Sequence, residues 1–553
     1  MSGSASYNVG DLVAEFLAQI GVPTVVGIVS VHNIPMLDGI GRRNAIRYVM
    51  ARGEMGGAHM ADGFARASGT LGVMFSSTGP GAANAVGGLI EARIAGTPLL
   101  HITGQSANAH VDRGVGSVHD VPDQLGMLAA ISKSAYRIRN PHQALGILTR
   151  AATDALTPPT GPVSVEVPID VQRTQIPRPA ALDTLSLPIP APAPPAEAAL
   201  AELTERVLKA RRPMLWLGAG ARHAGAAAAA LLAEGFGMVT STAGRASVPE
   251  DHPRSLGSFN GNLVPSVQDF YATCDLMLVV GSRLRGHETA EFSVRLPANL
   301  IQIDADPLAN GRTYPNRFFA CGDAAATLAA LAQRIRGKMT IDPAFTADLA
   351  RVKQVARERF LASLGPYASF PDQIRAALPR DAIWARDVTI SNTTWGNRAM
   401  PLYDPTQNIY PVGAGIGQGL QLGIGAALAA RGRKTVVMTG DGGFFLNVGE
   451  LWTAVQEKLD LCTIVMNDKG YGVIKHIQDA FYGGRRFYGD LLGADLDKIA
   501  LAAGIPYFKI ARAEDCGATV KQALAVGGPT LVEVDMRAIG EYPPYPPYDK
   551  RHA

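Results

Sequence analysis

The stretch Thr439–His476, TGDGGFFLNVGELWTAVQEKLDLCTIVMNDKGYGVIKH, decides how the chain is read. An apolar run, Thr435–Met438, ends in Gly440-Asp441-Gly442-Gly443. A helix-period segment follows, with Leu446, Leu451, Ala454, Val455 and Leu459 at the apolar positions. A second apolar run, Leu461–Met466, ends in Asn467-Asp468 and then Gly470-Tyr471-Gly472. The pattern is strand, crossover helix, parallel strand, with acids at the carboxyl ends of both strands. Ligands of parallel sheets sit outside those ends.

Asp441 and Asp468 come at equivalent strand ends, so their carboxylates can converge on one hard cation. Mg²⁺ takes a few protein oxygens and keeps phosphate oxygens or water for the rest. The Gly470 carbonyl is free to be a third protein ligand. The glycines beside Asp441 let backbone N–H groups approach a phosphate at the start of the next helix. A lone Gly-Asp-Gly would read as a turn with a helix-capping Asp. Two strands, a helix and Asn-Asp at this distance read as a phosphate and metal site.

The stretch resembles the diphosphate-binding motif of the thiamine diphosphate-dependent enzymes, the family of acetolactate synthase, pyruvate oxidase, benzoylformate decarboxylase and benzaldehyde lyase. That motif begins with Gly-Asp-Gly and ends in Asn-Asn. Here Asp468 takes the place of the second Asn, which keeps a metal ligand and adds a negative charge. The resemblance extends over almost the whole chain. It implies an α/β protein of three doubly wound domains with parallel sheets. They are a pyrimidine-binding domain (1–173), a central domain (197–340) and a diphosphate-binding domain (350–553), with a Pro-rich linker (174–196) between the first two.

Composition agrees with that size. The chain has 553 residues, 47% of them hydrophobic and 18% charged, with 60 glycines and 37 prolines, enough for large cores and many tight turns. A net charge of +3 gives no case for nucleic acid. Cys274, Cys321, Cys462 and Cys516 have no metal-ligand spacing and read as thiols in a reducing compartment. No basic apolar leader opens the sequence and no apolar span approaches a membrane helix. The expectation is a soluble, cytoplasmic protein without a nucleic-acid or membrane partner.

In the first domain, runs at Thr24–Ile28, Ala45–Val49, Gly72–Phe75, Leu99–Thr103 and Val163–Val167 alternate with helical segments, which implies a doubly wound parallel sheet. Glu54 ends the second run and precedes a helix expected over Gly57–Ala67. The resemblance makes it the activating glutamate, a buried carboxylate facing N1′ of the cofactor's aminopyrimidine, tuned upward by burial. The bland alternative is an N-terminal helix Glu favoured by the dipole. His32, in GIVSVHN, sits where relatives carry a substrate-facing His, although Val29 and Ser30 replace the usual Pro and Gly. Ser77 and Thr78 resemble a second pocket loop, and Ser77 replaces the His that some decarboxylases place there. Gln124 matches an active-site glutamine of acetolactate synthases and benzaldehyde lyase, and His119 is close by. Either could instead be a surface loop residue.

Seven prolines between Thr174 and Glu197 read as a semi-extended linker. In the central domain Gly218-Ala-Gly220 begins like a dinucleotide fingerprint, but the acid expected about twenty residues on is missing. Arg283-Leu-Arg285 departs from the acetolactate synthase pattern. FAD stays open without support from these residues.

In the third domain Ser391 and Asn392 are candidate phosphate donors. By resemblance, Ala414 supplies a carbonyl to the cofactor's 4′ amino group and Ile416 is the apolar wedge between its rings. Gln418 and Ile474 would line the substrate side. The cofactor set is completed by Gly440, Asp441, Gly442, Gly443, Asp468, Gly470, Tyr471 and Gly472. The metal set is Asp441, Asp468 and Gly470. Gly483–Gly489 reads as a mobile cover, and the tail GEYPPYPPYDKRHA as a disordered end or a lid.

The resemblance implies thiamine diphosphate, Mg²⁺ and a site shared between subunits of a homodimer or homotetramer. The expected activity is that of a 2-oxo acid decarboxylase or carboligase. Alternatives are an acetolactate synthase with FAD and a regulatory subunit, a hydroxyketone lyase working without CO₂ loss, or a non-catalytic scaffold. Intact Glu54, Asp441, Asp468 and Ile416 argue against the last.

Overall fold

The structure is a computed structural model that describes residues 7–544 except Leu263. The first six residues and the tail from Tyr545 onward, including most of the expected lid, lie outside the described residues.

Three parallel sheets organise the chain, each formed by consecutive strands. The first holds β1 (Thr24–Gly27), β2 (Arg47–Met50), β3 (Gly72–Ser76), β4 (Leu99–Gln105), β5 (Ser134–Arg137) and β6 (Pro162–Pro168), in the order 2-1-3-4-6-5. The second holds β7 (Pro213–Leu217), β8 (Gly237–Thr240), β9 (Leu276–Val280), β10 (Leu300–Asp304) and β11 (Phe318–Cys321), in the order 11-10-9-7-8. The third holds β12 (Ile383–Arg386), β13 (Asn408–Ile409), β14 (Thr435–Gly440), β15 (Leu461–Asn467), β16 (Tyr507–Ile510) and β17 (Thr530–Asp535), in the order 13-12-14-15-17-16.

The first and third orders are the same sequence of steps, so the two domains are topological copies. β12 answers β1, β13 answers β2 and β14 answers β3. In each copy the order reverses between the first and third strands. The loops leaving those two strands flank the crevice where such sheets take ligands. β14 and β15 are buried along nearly their whole length, as expected of central parallel strands covered on both faces.

The copies are joined face to face. Helix Glu54–Ser68, after β2, packs on helix Gly419–Ala429, after β13. Both are rich in Gly and Ala and buried on almost every side, the mark of a helix inside a core. Glycine sets their approach: a methyl group on Gly63 would lie 2.0 Å from the Leu422 carbonyl oxygen, and one on Gly425 1.9 Å from that of Met60. Met60, Phe64, Leu422, Ile424 and Leu451 thus belong to one core spanning the first and third domains.

Several expectations are corrected. The helix carrying Glu54 starts at Glu54 itself, three residues earlier than expected. The crossover after β14 is three short pieces, Asp441–Leu446, Val448–Glu450 and Leu451–Gln456, rather than one helix. The Pro-rich stretch is anchored at its start, where Asn8 bridges Gln175 and Leu182 enters the first core. In the central domain Gly218 lies against the next strand end, and a methyl group there would meet the Gly281 carbonyl oxygen at 2.2 Å. Its dinucleotide-like glycine is explained by strand packing. Arg283 and Arg285 donate to the carbonyls of Ile94 and Val412, tying the central domain to its neighbours.

Candidate active site

The third-domain half lies at the ends of β12, β14 and β15. Asp441 is the first residue of its helix and Asp468 follows β15 directly. Their carboxyls lie against each other. Burial and the Asp441 charge push Asp468 up to about 7, against the opposing pull of Lys475. Burial raises Asp441 as well. The Asp441 Oδ1 is buried with no hydrogen-bond partner among the described residues. Two abutting carboxyls, one buried and one half-buried, with an unmet oxygen are a donor set for a divalent cation. Among the described residues no cluster of three His, Cys, Asp or Glu offers a protein-only cage. A cation here therefore needs backbone, phosphate or water oxygens, as Mg²⁺ does.

Thr389 is the loop residue nearest this strand end, since a methyl group on Gly440 would lie 3.2 Å from its Oγ1. Sequence reading passed over it for Ser391 and Asn392, which the structure turns inward. The fully buried Ser391 hydroxyl bonds the Tyr542 hydroxyl at 3.0 Å, and Asn392 Oδ1 accepts from Arg386 at 3.1 Å. Both side chains serve the core. Tyr542, stacked on Tyr367 and bonded by Trp395 Nε1, fixes the start of the C-terminal tail there. Gly442 faces the Tyr471 ring, Gly443 the Asp387 carboxylate, and Gly472 the Asp468 carboxylate. The Gly483–Gly489 segment ends on the motif, where the Gly489 carbonyl accepts the Tyr471 N–H at 2.8 Å. A cavity of about 400 Å³ opens beside Asp468, lined by Lys475, His476, Arg486 and Arg537 among others.

The loop Ala414–Gln418 is held from below. Asp387, fully buried and raised by burial, accepts the Gly417 N–H at 3.0 Å and the Thr439 hydroxyl at 3.1 Å. Ala414 adopts φ of +60, a left-handed conformation unusual for a side-chain-bearing residue. Ile416 is a 40% exposed apolar side chain. Gln418 Oε1 is buried and unpartnered, and Ile474 is 44% exposed.

The first-domain half lies at the ends of β1, β2 and β3. Glu54 opens its helix beside Asn84, whose Nδ2 donates to it at 3.3 Å. In the single chain it is half-buried, not buried as expected. His32 and His119 sit with ring centroids 5.2 Å apart, and His119 Nδ1 is 3.4 Å from Ser77 Oγ. Burial, then the His119 and Arg173 charges, hold His32 below the usual imidazole range, and its Nδ1 is buried without a partner.

Gln124 braces the turn after β3. Its Oε1 accepts the Gly79 N–H at 2.6 Å and the Thr78 hydroxyl at 2.9 Å, while its Nε2 donates to the Gly104 carbonyl at 3.2 Å. Its amide is committed to shaping the turn after β3. Thr78 is fully buried in the same network, where its hydroxyl also donates to Gln105 Oε1 at 3.1 Å.

Two equivalent strand-end crevices, one acidic and one carrying Glu54 and histidines, define a cofactor enzyme of the doubly wound α/β class. The comparisons make the family specific. Residues 7–127 match the thiamine pyrophosphate enzyme N-terminal TPP binding domain, 200–331 the central domain and 390–534 the C-terminal TPP binding domain. The chain is 33% identical to the probable 2-ketoarginine decarboxylase of Pseudomonas aeruginosa, over 97% of this chain and 93% of that protein. It is 28% identical to the acetolactate synthase isozyme 1 large subunit of Escherichia coli, over 97% and 95%. It is 30% identical to benzoylformate decarboxylase of Pseudomonas aeruginosa, over 97% and 99%. The chain belongs to the thiamine pyrophosphate (thiamine diphosphate) enzyme family. Among the described residues no helix is long and apolar enough to cross a membrane.

Proposed function

We propose that this enzyme is a thiamine diphosphate- and Mg²⁺-dependent 2-oxo acid decarboxylase or carboligase. The observation that carries the metal half is the abutting Asp441–Asp468 pair with its unpartnered buried oxygen. Two of the compared relatives are named decarboxylases, which supports 2-oxo acid chemistry. The likeness to an acetolactate synthase large subunit keeps carboligation in the reading.

Asp441, Asp468 and the Gly470 carbonyl would hold the cation. Thr389 and the amides beginning the Asp441 helix would hold the diphosphate. Ala414 and Ile416 would meet the ring end, and Glu54 would share the N1′ proton. When bound, thiamine diphosphate supplies an electron sink for the carbanion released as CO₂ leaves. His32, His119 and Ser77 would hold and move the substrate-side proton. His32 is suited to this, since burial keeps its ring neutral at neutral pH and able to accept a proton.

Each half-site is built within one domain, and both are bordered by exposed apolar side chains. Val29, Val31 and Met55 border Glu54's half, and Ile416, Leu446 and Ile474 the metal half. Several large apolar side chains exposed around each half-site suit a covering partner. A homodimer or homotetramer that joins the first domain of one copy to the third of another would cover both and bury Glu54. A reducing, cytoplasmic setting fits the four free thiols.

Two variants test the assignment. Glu54→Gln should lower turnover about tenfold or more with cofactor still bound. Asp441→Ala should abolish Mg²⁺-dependent cofactor binding in a calorimetric titration. Unchanged turnover in the first, or unchanged affinity in the second, refutes that residue's role.

A further inference from the structure

The copy relation between the first and third domains exposes a matched pair of buried carboxylates that the chemistry above leaves unused. Glu450 lies in the crossover after β14, and Glu91 in helix Val86–Ala95 after β3, so they occupy corresponding places in the two copies. Each reaches across the domain boundary to backbone amides of the other copy. Glu450 Oε1 accepts the N–H groups of Arg52 at 2.9 Å and Gly53 at 3.1 Å. Glu91 accepts those of Val412 at 2.6 Å and Gly413 at 2.8 Å. The gripped amides come just before Glu54 in one copy and just before Ala414 and Ile416 in the other. Glu450 is 3% exposed and Glu91 1%.

Glu450 is the better placed to act on chemistry. Its other oxygen accepts the buried Thr453 hydroxyl at 2.7 Å. Arg52 Nη2 donates to Gln456 at 2.8 Å, so the Glu450–Gln456 segment clasps the turn from β2 into the Glu54 helix. A carboxylate at that helix start is also favoured by the helix dipole. The close approach depends on Gly56, where a methyl group would lie 2.1 Å from Glu450 Oε1. Two charge-assisted bonds to the residues immediately before Glu54 fix where its side chain begins.

We propose that Glu450 is a positioning residue of the cofactor site, fixing the Arg52–Gly53 turn so that Glu54 meets the cofactor in one orientation. Glu91 is its counterpart for the Ala414–Ile416 loop. The proposal rests on Glu54 having the activating role given above. It separates Glu450 from a mere domain fastener, because a fastener alters stability whereas a positioning residue alters proton transfer through Glu54.

The test uses the full-length enzyme loaded with thiamine diphosphate and Mg²⁺. The rate of hydrogen–deuterium exchange at the cofactor's C2 is followed by acid quench and NMR, alongside cofactor affinity and melting temperature. Glu450→Gln should slow exchange about tenfold or more, the scale of a misplaced proton-transfer group, with cofactor affinity within about threefold of the parent. Glu54→Gln should slow exchange at least as much, and the double variant should be no slower than Glu54→Gln within about twofold. Gly56→Ala, which crowds the carboxylate without removing it, should reproduce the slow exchange and serves if Glu450→Gln does not fold. Parent-like exchange in both Glu450→Gln and Gly56→Ala overturns the proposal, as do effects that multiply in the double variant. Parent-like exchange in Glu54→Gln would instead overturn the activating role on which the proposal rests.

Discussion

Replacing Glu91 by alanine should loosen the third domain's cofactor loop from a position in the first. Glu91 takes two backbone amides, Val412 and Gly413, and one guanidinium nitrogen of the buried Arg66 at 2.8 Å. Arg66 keeps Asp62, with Nε donating to Oδ1 at 2.7 Å, so it is not stranded as a lone charge. The loss is then the desolvated Val412 amide, a partly rehydrated Gly413 amide and the weakened Arg66 pair. At ~1–3 kcal/mol for a buried donor left unmet, the total is about 3 kcal/mol. For domains of this size that lowers the melting temperature by roughly 6–12 °C. The assay is differential scanning calorimetry of Glu91→Ala without cofactor, followed by titration with thiamine diphosphate and Mg²⁺. Cofactor affinity should fall as well, because the released amides precede Ala414 and Ile416. A melting temperature within about 2 °C of the parent, with unchanged affinity, would refute the reasoning.

Other expectations follow from the same geometry. Asp468, raised from 3.8 to about 7, costs the metal-free fold stability as pH rises through that window, and the full cost is present above it. Metal-free Asp468→Asn should therefore lose less melting temperature between pH 5 and pH 8 than the parent, and parallel profiles would contradict the carboxyl pair. Ile416→Ala, at a position 40% exposed, should leave the melting temperature within about 2 °C while lowering turnover at least tenfold. Equal turnover would remove Ile416 from the site. Gln124→Ala should cost about 1–3 kcal/mol by releasing the Gly79 amide and Thr78 hydroxyl. An unaltered melting temperature would mean that the turn does not need it.

The central strands were legible because both faces are covered. Runs such as Thr435–Met438 and Leu461–Met466 are continuous apolar stretches, and they start where β14 and β15 start. The strands missed, β5, β11, β13 and β16, all lie at sheet edges. Three of them, Ser134–Arg137, Phe318–Cys321 and Tyr507–Ile510, are only partly buried and carry no clean apolar run. The positions of Asp441 and Asp468 at the strand ends were legible because the apolar runs and the glycines that follow mark those ends locally. The inward bonds of Ser391 and Asn392 were not legible because their partners, Tyr542 and Arg386, are set by tertiary packing. The bonds of Gln124 were hidden for a similar reason: its residue type announces a polar role, and only the fold shows that it holds Thr78 and Gly79. Glu91 carried no motif, and Glu450 lies within the Thr439–His476 stretch without being one of its expected cofactor or metal residues. Their significance comes from the matching strand orders, which no single stretch of sequence displays.

The most direct test of the functional reading is CO₂ release by purified protein supplied with thiamine diphosphate and Mg²⁺. Pyruvate, benzoylformate, branched 2-oxo acids and 2-ketoarginine would be offered, with the organic products separated. The account predicts cofactor-dependent CO₂ from at least one acid, together with an aldehyde for a decarboxylase or a hydroxyketone for a carboligase. No CO₂ from any of them, in protein that binds the cofactor, would contradict the decarboxylating chemistry and turn attention to cleavage of hydroxyketones.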